Sequence, residues 1–572
     1  MTGFSLANVA FDTTEIARWG ATDKRYRNWP VVYVLNSSSE VYVGESLNVE
    51  ARLKQHVASV DKSTMTDTRV IVNERFNKSA CLDLESFLIR MFAGDGNYTV
   101  LNRNAGIIDS EYYDRETYRK SFEEIFEELR TQENLFTRTI PEIVNSDLFK
   151  LSPFKALNHD QAGAVQDILD GLFHDIEGGK TSISVVQGGP GTGKTVVAIY
   201  LVKLIEDIRL HDPQDPIDED SIFSDFFTPG HPELLQDFRV GIVVPQQSLR
   251  ESIRRVFSKT PGLEREMVLS PFDVGASEQP FDLLIVDEAH RLNHRANQAA
   301  AALNRKFADI NVRLFGRDDP ELTQLDWITH QSKHTIFMLD RDQSVRPADL
   351  PGSTTQALMD SAHSNGALHQ LRSQMRISSE HDYVEYIKAV LSNSPPPARQ
   401  EFPDYDLRFY DDPGEMRRAI LKRNEEVGLS RLVAGYAWAW NSKADKSAYD
   451  IEIGDVKLRW NSSPKDWISA AGSELEVGSI HTVQGYDLNY AGVIIGRDLR
   501  LDEEIGSIFF DRSNYFDKKG MENNTKRGIK YSDADLLQLV RNIYTVLLTR
   551  GMRGTYVYVH DAALRERLRR FL

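Results

Sequence analysis

The segment GGPGTGKT, from Gly188 to Thr195, lies between the apolar run ISVV and the helical pattern VVAIYLVKLI. This G-x-x-x-x-G-K-T spacing suits a phosphate chain. A strand feeds the loop, and Gly188, Gly189, Pro190, Gly191, Thr192 and Gly193 let the backbone wrap phosphates with its N–H groups. The following helix adds the positive potential of its N-terminus. Lys194 would reach the outer phosphates, and the Thr195 hydroxyl would hold Mg²⁺. The partner segment is FDLLIVDEAHR (281–291), an apolar strand ending in Asp287 and Glu288, 93 residues after Lys194. One carboxylate there can bind Mg²⁺ and the next can orient an attacking water. Together the two segments predict hydrolysis of ATP or GTP.

Other pieces follow in a fixed order. LNHDQ (157–161) brings Gln161, which could read an adenine edge, and VVPQQSLRESIRRVF (243–257) follows a strand. TIFMLDRDQSVRP (335–347) places Asp340 and Gln343 after an apolar strand, and LRSQMR ends in Arg376. SIHTVQGYDLNYAGVIIG (479–496) carries Gln484, Gly485 and Asp487, and YTVLLTRGMRG (544–554) presents Arg550 and Arg553. In this order the segments resemble the motifs of superfamily 1 helicases across about 157–560. The likeness runs to a Schlafen-like, uncharacterised bacterial branch, through LLTRGM and GYAWAW (435–440). The resemblance implies two RecA-like lobes with ATP between them, Gln343 sensing the γ-phosphate, and Arg376 and Arg550 as arginine fingers. Gln484, Gly485 and Asp487 would couple hydrolysis to grip on a strand. The chain has Leu339-Asp340 where the family has Gly-Asp. Arg553 is expected to be an ion-pair partner.

A second set of residues lies near the N-terminus. Tyr33 and Tyr42 fall on two runs, VVYVL and EVYVG, with eight residues between the tyrosines. Arg52 and His56 sit one helical turn apart on NVEARLKQHVASV, Glu85 lies on SACLDLESFLIRMF, and Asn102 ends TVLN. These types suit phosphodiester hydrolysis. One carboxylate can anchor one Mg²⁺, an arginine fork grips phosphate, and a tyrosine or a histidine can take a proton from water. The order resembles the GIY-YIG nucleases across roughly 30–105, with VVY and YVG in place of the family triplets. The resemblance implies Tyr33, Tyr42, Arg52, His56 and Asn102 as site residues, Glu85 as metal ligand, and DNA over RNA as substrate.

The elements that must hold these groups can be sketched from pattern. The two tyrosine runs, joined by NSSSE, read as a hairpin. Asn48 is a helix cap, with Val49, Leu53, Val57 and Val60 on one face. Cys81, Leu84, Leu88 and Met91 make the inner face of a second helix. Residues 109–136 are charged and aromatic and read as a helical connector. Beyond about 150, strands alternate with helices, which predicts parallel α/β domains. The fold class is therefore α/β: an α+β nuclease domain (1–108), a connector (109–150), and two lobes (151–348 and 349–572).

The chain has 572 residues, 41% hydrophobic and 27% charged, which is globular and too long for one core. The net charge of −17 argues against binding nucleic acid by bulk charge. Residues 206–237 hold ten acids and one arginine and read as a solvated inserted loop. The single cysteine, Cys81, excludes an internal disulfide or a cysteine-based zinc site and favours a reducing interior. No signal-peptide pattern or membrane-length apolar run is seen, so a soluble, cytoplasmic protein is expected.

The combined expectation is an ATP-dependent nuclease-helicase that uses ATP and Mg²⁺ on nucleic acid, with antiphage or plasmid defence as the role suggested by analogy. A homo-oligomer or a partner defence protein is compatible with it. Two alternatives stand beside it: an ATP-gated nuclease that does not translocate, and a repair ATPase with a non-catalytic N-terminal binding module.

Overall fold

The computed structural model describes residues 3–102, 112–212, 222–295, 301–340, 343–373, 382–463, 467–483 and 486–572. It forms two compact units. One comprises Met1–Gln166, Ile199–Asp237 and Ser252–Met267, and the other Asp167–Ala198, Phe238–Glu251 and Val268–Leu572.

The first unit is built on a mixed sheet. Its strands are β1 (Phe4–Ala10), β2 (Val31–Asn36), β3 (Glu40–Ser46), β4 (Asp67–Asn73) and β5 (Thr99–Val100), in the order β1-β4-β2-β3-β5. Strands β2 and β3 form the expected hairpin, with Tyr33 opposite Gly44. Strand β2 is buried on both faces, which its run of β-branched residues allows. Val32 and Val34 meet Cys81, Leu84 and Leu88 on one side, and Val31, Tyr33 and Leu35 meet Val49 and Leu53 on the other. Helix Val49–Ala58 begins where the Asn48 side chain accepts a hydrogen bond from the Ala51 N–H at 3.1 Å. Helix Lys78–Asp95 is capped in the same way by Asn77, through the Ala80 N–H at 2.8 Å.

Residues 112–136 depart from the connector expectation, and 109–111 lie outside the described residues. Helix Arg115–Thr131 buries Phe122, Ile125, Phe126 and Leu129 in the same core as Val32, Val43 and Leu88. Its apolar stripe at three- and four-residue spacing needs a partner surface, and the sheet-backing helix supplies one. The acidic segment also departs from a wholly solvated loop. Glu206 and Asp207 are buried at the end of helix Lys194–Arg209 and paired with Arg209 and Lys203, and Phe223, Phe226 and Phe227 are buried. Residues 213–221 of that segment lie outside the described residues.

The second unit holds two parallel sheets, as the α/β expectation requires. The first contains β6 (Ser182–Gly188), β7 (Val240–Val243), β8 (Val268–Leu269), β9 (Phe281–Val286), β10 (Ser332–Leu339) and β11 (Leu368–Leu371), ordered β11-β6-β10-β9-β7-β8. The second contains β12 (Asp406–Phe409), β13 (Ser430–Ala434), β16 (Val477–Ser479), β17 (Leu488–Ile495) and β20 (Gly551–Val559), ordered β12-β20-β17-β13-β16. Two antiparallel hairpins attach to it, β14 (Ile451–Ile453) with β15 (Val456–Leu458), and β18 (Leu499–Asp502) with β19 (Ser507–Phe510). The central strands of both sheets are buried apolar runs, as parallel strands require. Among the described residues, no helix is long and apolar enough to cross a membrane.

Candidate nucleotide and nuclease sites

The order of the first parallel sheet gathers the nucleotide-site residues. Strand β10 lies between β6 and β9, so the C-terminal ends of all three open at one edge. Side chains that follow adjacent parallel strands there converge on one crevice. The phosphate loop leaves β6, and Gly191 and Gly193 take φ of 82° and 81°, a region closed to most side chains. Gly188 is needed for a different reason: a Cβ there would collide with the Thr192 hydroxyl. Lys194 Nζ donates to the Gly188 and Gly189 carbonyls at 2.7 and 2.9 Å and lies 3.4 Å from Asp340 Oδ2.

The Thr195 hydroxyl donates to Asp287 Oδ2 at 2.8 Å. The other oxygen of Asp287, Oδ1, is buried without a hydrogen-bond partner among the described residues. A hydroxyl and an orphaned carboxylate oxygen side by side form an oxygen donor set that fits Mg²⁺. Burial, then repulsion from Glu288, pushes the Asp287 carboxyl up. Burial also opposes the charge on Glu288, but the facing His290 N–H, with the Lys194 and Arg291 charges, outweighs it and holds that carboxyl low. Glu288 itself has φ of 51°, left-handed backbone that is uncommon for a glutamate.

At the end of β10, Gln343 Nε2 donates to Asp340 Oδ2 at 2.7 Å, and Gln343 Oε1 is buried without a hydrogen-bond partner among the described residues. The sequence expectation thus brings Lys194, Thr195, Asp287, Glu288 and Gln343 to one sheet edge. Asp340, which the sequence places with Gln343 after the same strand, joins them. His290 was missed, although its signal was present in the DEAH string. Arg550 is buried at the start of β20, where Nη1 donates to the Tyr486 carbonyl at 3.3 Å. Arg553 is exposed and, contrary to expectation, makes no ion pair among the described residues. Gln161 is fully buried, and Asn158 and Gln161 cap the start of its helix reciprocally at 2.8 and 3.2 Å. Arg376, Gln484 and Gly485 lie outside the described residues.

Residues 181–561 match the family model for the Schlafen group 3 DNA/RNA helicase domain. The chain belongs to this family. It is also similar to the uncharacterized protein YPL245W of Saccharomyces cerevisiae (strain ATCC 204508 / S288c), at 28% identity over 414 residues, covering 68% of this chain and 83% of the yeast protein. Among solved structures, arterivirus nonstructural protein 10, a helicase, aligns at 12% identity with a TM-score of 0.28, over 70% of this chain and 64% of that one. Bacteroides Pif1 bound to ssDNA aligns at 10% identity with a TM-score of 0.25, over 70% of this chain and 93% of that one. The family match begins beside β6 and leaves the N-terminal sheet outside it.

In that N-terminal sheet the predicted residues meet from separate elements. Tyr33 is buried, and its hydroxyl lies 2.8 Å from His56 Nε2. The Tyr42 ring meets His56 edge-on at 5.1 Å between centroids, and Lys62 Nζ sits 4.3 Å above Tyr42. Gly44 is opposite Tyr33, and a Cβ there would strike the Tyr33 hydroxyl. The glycine that closes YVG is therefore a seat for the first tyrosine. Burial, with Tyr42 and Glu85, pushes the Tyr33 phenol well above its usual value against the pull of Arg52. Burial and Glu85 likewise push Tyr42 up to about 12. Burial, then the Arg52 and Lys62 charges, brings His56 down to about 4, so its ring is neutral at pH 7. Asn102 is used differently. Its amide donates to the Val43 carbonyl at 2.7 Å and accepts from the Val43 N–H at 3.1 Å, extending the β5 ladder along β3. Cys81 is buried, and burial pushes its thiol well up, in keeping with a core residue. Among the described residues, no group of three or more His, Cys, Asp or Glu side chains is placed to hold a metal ion.

Proposed function

We propose that this chain is an ATP-driven motor on nucleic acid. The observation that carries this is the convergence of Lys194, Thr195, Asp287, Glu288, Asp340 and Gln343 at one edge of the first parallel sheet. On this reading Lys194 leaves the loop carbonyls for the outer phosphates, and Glu288 orients the attacking water. Gln343 offers its buried amide oxygen and N–H group to the γ-phosphate end of the site. Mg²⁺ held by Thr195 and Asp287 would supply Lewis acidity at the phosphates. Gln161 reads adenine, and Arg376 and Arg550 supply positive charge from the second lobe, with Gln484 and Gly485 on the strand-gripping path. The decisive test is ATP turnover with and without single-stranded nucleic acid of increasing length. Stimulation that grows with length supports a translocating motor. Stimulation that is flat with length supports an ATP switch instead.

The N-terminal sheet favours a second activity, cleavage of a phosphodiester, and DNA is the favoured substrate. The supporting observation is the Tyr33–His56 contact with Tyr42, Arg52 and Glu85 acting on the same rings. Neutral His56 is the better proton acceptor at pH 7, because both phenols are held protonated. Arg52 grips phosphate, and Asn102 braces β3. A Mg²⁺ ion there would rest on Glu85 and otherwise on water and substrate oxygens. Incubation of labelled single-stranded, duplex and forked DNA and RNA with Mg²⁺, for wild type and Glu85→Ala, tests this. Cleavage that survives Glu85→Ala unchanged would remove the assignment.

A further inference from the structure

His290 occupies a position that the nucleotide-site reading does not use. It is fully buried and stands between two strand ends. Its Nδ1 accepts the backbone N–H of Asp340, the first residue after β10, at 3.3 Å. An acceptor at Nδ1 leaves the ring proton on Nε2. That atom lies 3.0 Å from Glu288 Oε2. The pair is close but off the line of a straight hydrogen bond, and neither atom has another hydrogen-bond partner among the described residues. Contacts of this kind tighten when a catalytic group takes up its working position.

The backbone around Glu288 makes such a tether useful. Glu288 turns through left-handed φ immediately after β9, and the short turn Ala289–Arg291 follows. A left-handed turn is unfavourable for a residue with a Cβ and persists only where neighbours over-determine it. Asp340 is not an isolated anchor. Its carboxylate receives Gln343 and faces Lys194, so a displacement of either is felt at the end of β10. The path from Gln343 to Glu288 therefore runs through Asp340 and one imidazole.

We propose that His290 is a positioning residue that ties Glu288 to the end of β10, so that Glu288 reaches its water-orienting position only when Asp340 and Gln343 are engaged. The inference rests on the ATPase reading.

The test compares wild type, His290→Ala, His290→Gln, Gln343→Ala and the double variant His290→Ala/Gln343→Ala. ATP affinity is read with a fluorescent ATP analogue and turnover by phosphate release, with thermal melts as a control for folding. His290→Ala is expected to lower kcat by about 10- to 100-fold, on the scale of a lost orienting contact, with affinity changed less than about threefold. His290→Gln keeps an N–H donor and should recover at least part of kcat. The double variant should be no slower than the slower single variant, because both substitutions cut one path. Independent, multiplicative losses would overturn the tether, as would loss of affinity in step with kcat while the melts are unchanged. Should His290→Ala melt early, His290→Leu, which fills the space but offers no polar atom, takes its place in the cycle and is read in the same way. Wild-type protein without ATP turnover would remove the ATPase reading and this inference together. Normal turnover by a folded His290→Ala would remove the inference alone.

Discussion

On the proposed reading, the two candidate sites would hold phosphate oxygens with opposite materials. The phosphate-loop site is made of backbone and charge. A lysine, two adjacent carboxylates and an aspartate stand at the ends of three neighbouring strands, and the sheet order alone brings them together. The N-terminal site is made of rings. Two tyrosines and a histidine pack on one another, and a single glutamate supplies the carboxylate. The first arrangement tolerates changes in packing but not in charge. The second depends on how a few aromatic side chains are seated.

That contrast can be broken at several points. The largest effect is expected at Lys194→Ala, which should reduce ATP turnover by roughly 10³-fold or more, the scale of a lost phosphate-stabilising cation. Phosphate release with saturating ATP checks it. Glu85→Ala should abolish Mg²⁺-dependent cleavage in a gel assay and leave ATP turnover intact, since the two sites share no side chain. A loss of both activities would mean the regions are not separable in this way.

Stability against pH should distinguish the regions by sign. His56 is brought down to about 4 from 6.5, so the folded chain binds fewer protons than the unfolded chain between those values. Its contribution is present above pH 6.5 and is lost as pH falls to 4. Asp498, in the second parallel lobe, behaves oppositely. Burial pushes it up to about 7 although the Tyr544 hydroxyl donates to it at 2.6 Å. Its contribution is complete below pH 3.8 and is lost as pH rises through 7. Asp498→Asn should flatten that loss and raise stability at pH 8 by roughly 2–4 kcal/mol, at 1.36 kcal/mol per pKa unit. Urea unfolding at pH 5 and pH 8, followed by tryptophan fluorescence, measures it.

Smaller effects sharpen the claim about seating. Gly44→Ala should cost about 1–3 kcal/mol by overpacking against Tyr33 and slow cleavage while sparing ATP turnover. Asn102→Ala should cost about 1–2 kcal/mol by leaving the Val43 groups unpaired, with a cleavage loss only in proportion to unfolding. Cleavage abolished in a fully folded Asn102→Ala protein would give that amide a direct part in the chemistry.

How much of this could be seen in sequence follows the same division. The phosphate loop, the DE pair and the strands beneath them were legible because the chemistry is contiguous and the buried parallel strands are unbroken apolar runs. His290 was not singled out, because a buried histidine has no pattern until β10 is placed beside β9. In the N-terminal unit the hairpin and both helices follow from alternation, from helical periodicity and, for the first helix, from the Asn48 cap; the Asn77 cap of the second was not singled out. Strand β1 was missed: FSLANVA is small and polar for a strand, and it pairs only along one edge, with β4. The approach of Lys62 to Tyr42 depends on a fold back of the chain that no spacing encodes. The helix at Arg115–Thr131 was recognised as a helix but assigned to a connector, since a charged face hides an apolar stripe when charges are counted over a window.

That helix has a practical consequence. A fragment cut where the nuclease-like pattern ends, near residue 105, would remove Phe122, Ile125, Phe126 and Leu129 from the core they share with Val32, Val43 and Leu88. The raw surface left behind would favour aggregation over catalysis. Inactivity of such a fragment would then report a wound in the fold and leave the chemistry of Tyr33 and Glu85 unexamined. The smallest piece worth transplanting into another chain must carry the sequence through that helix.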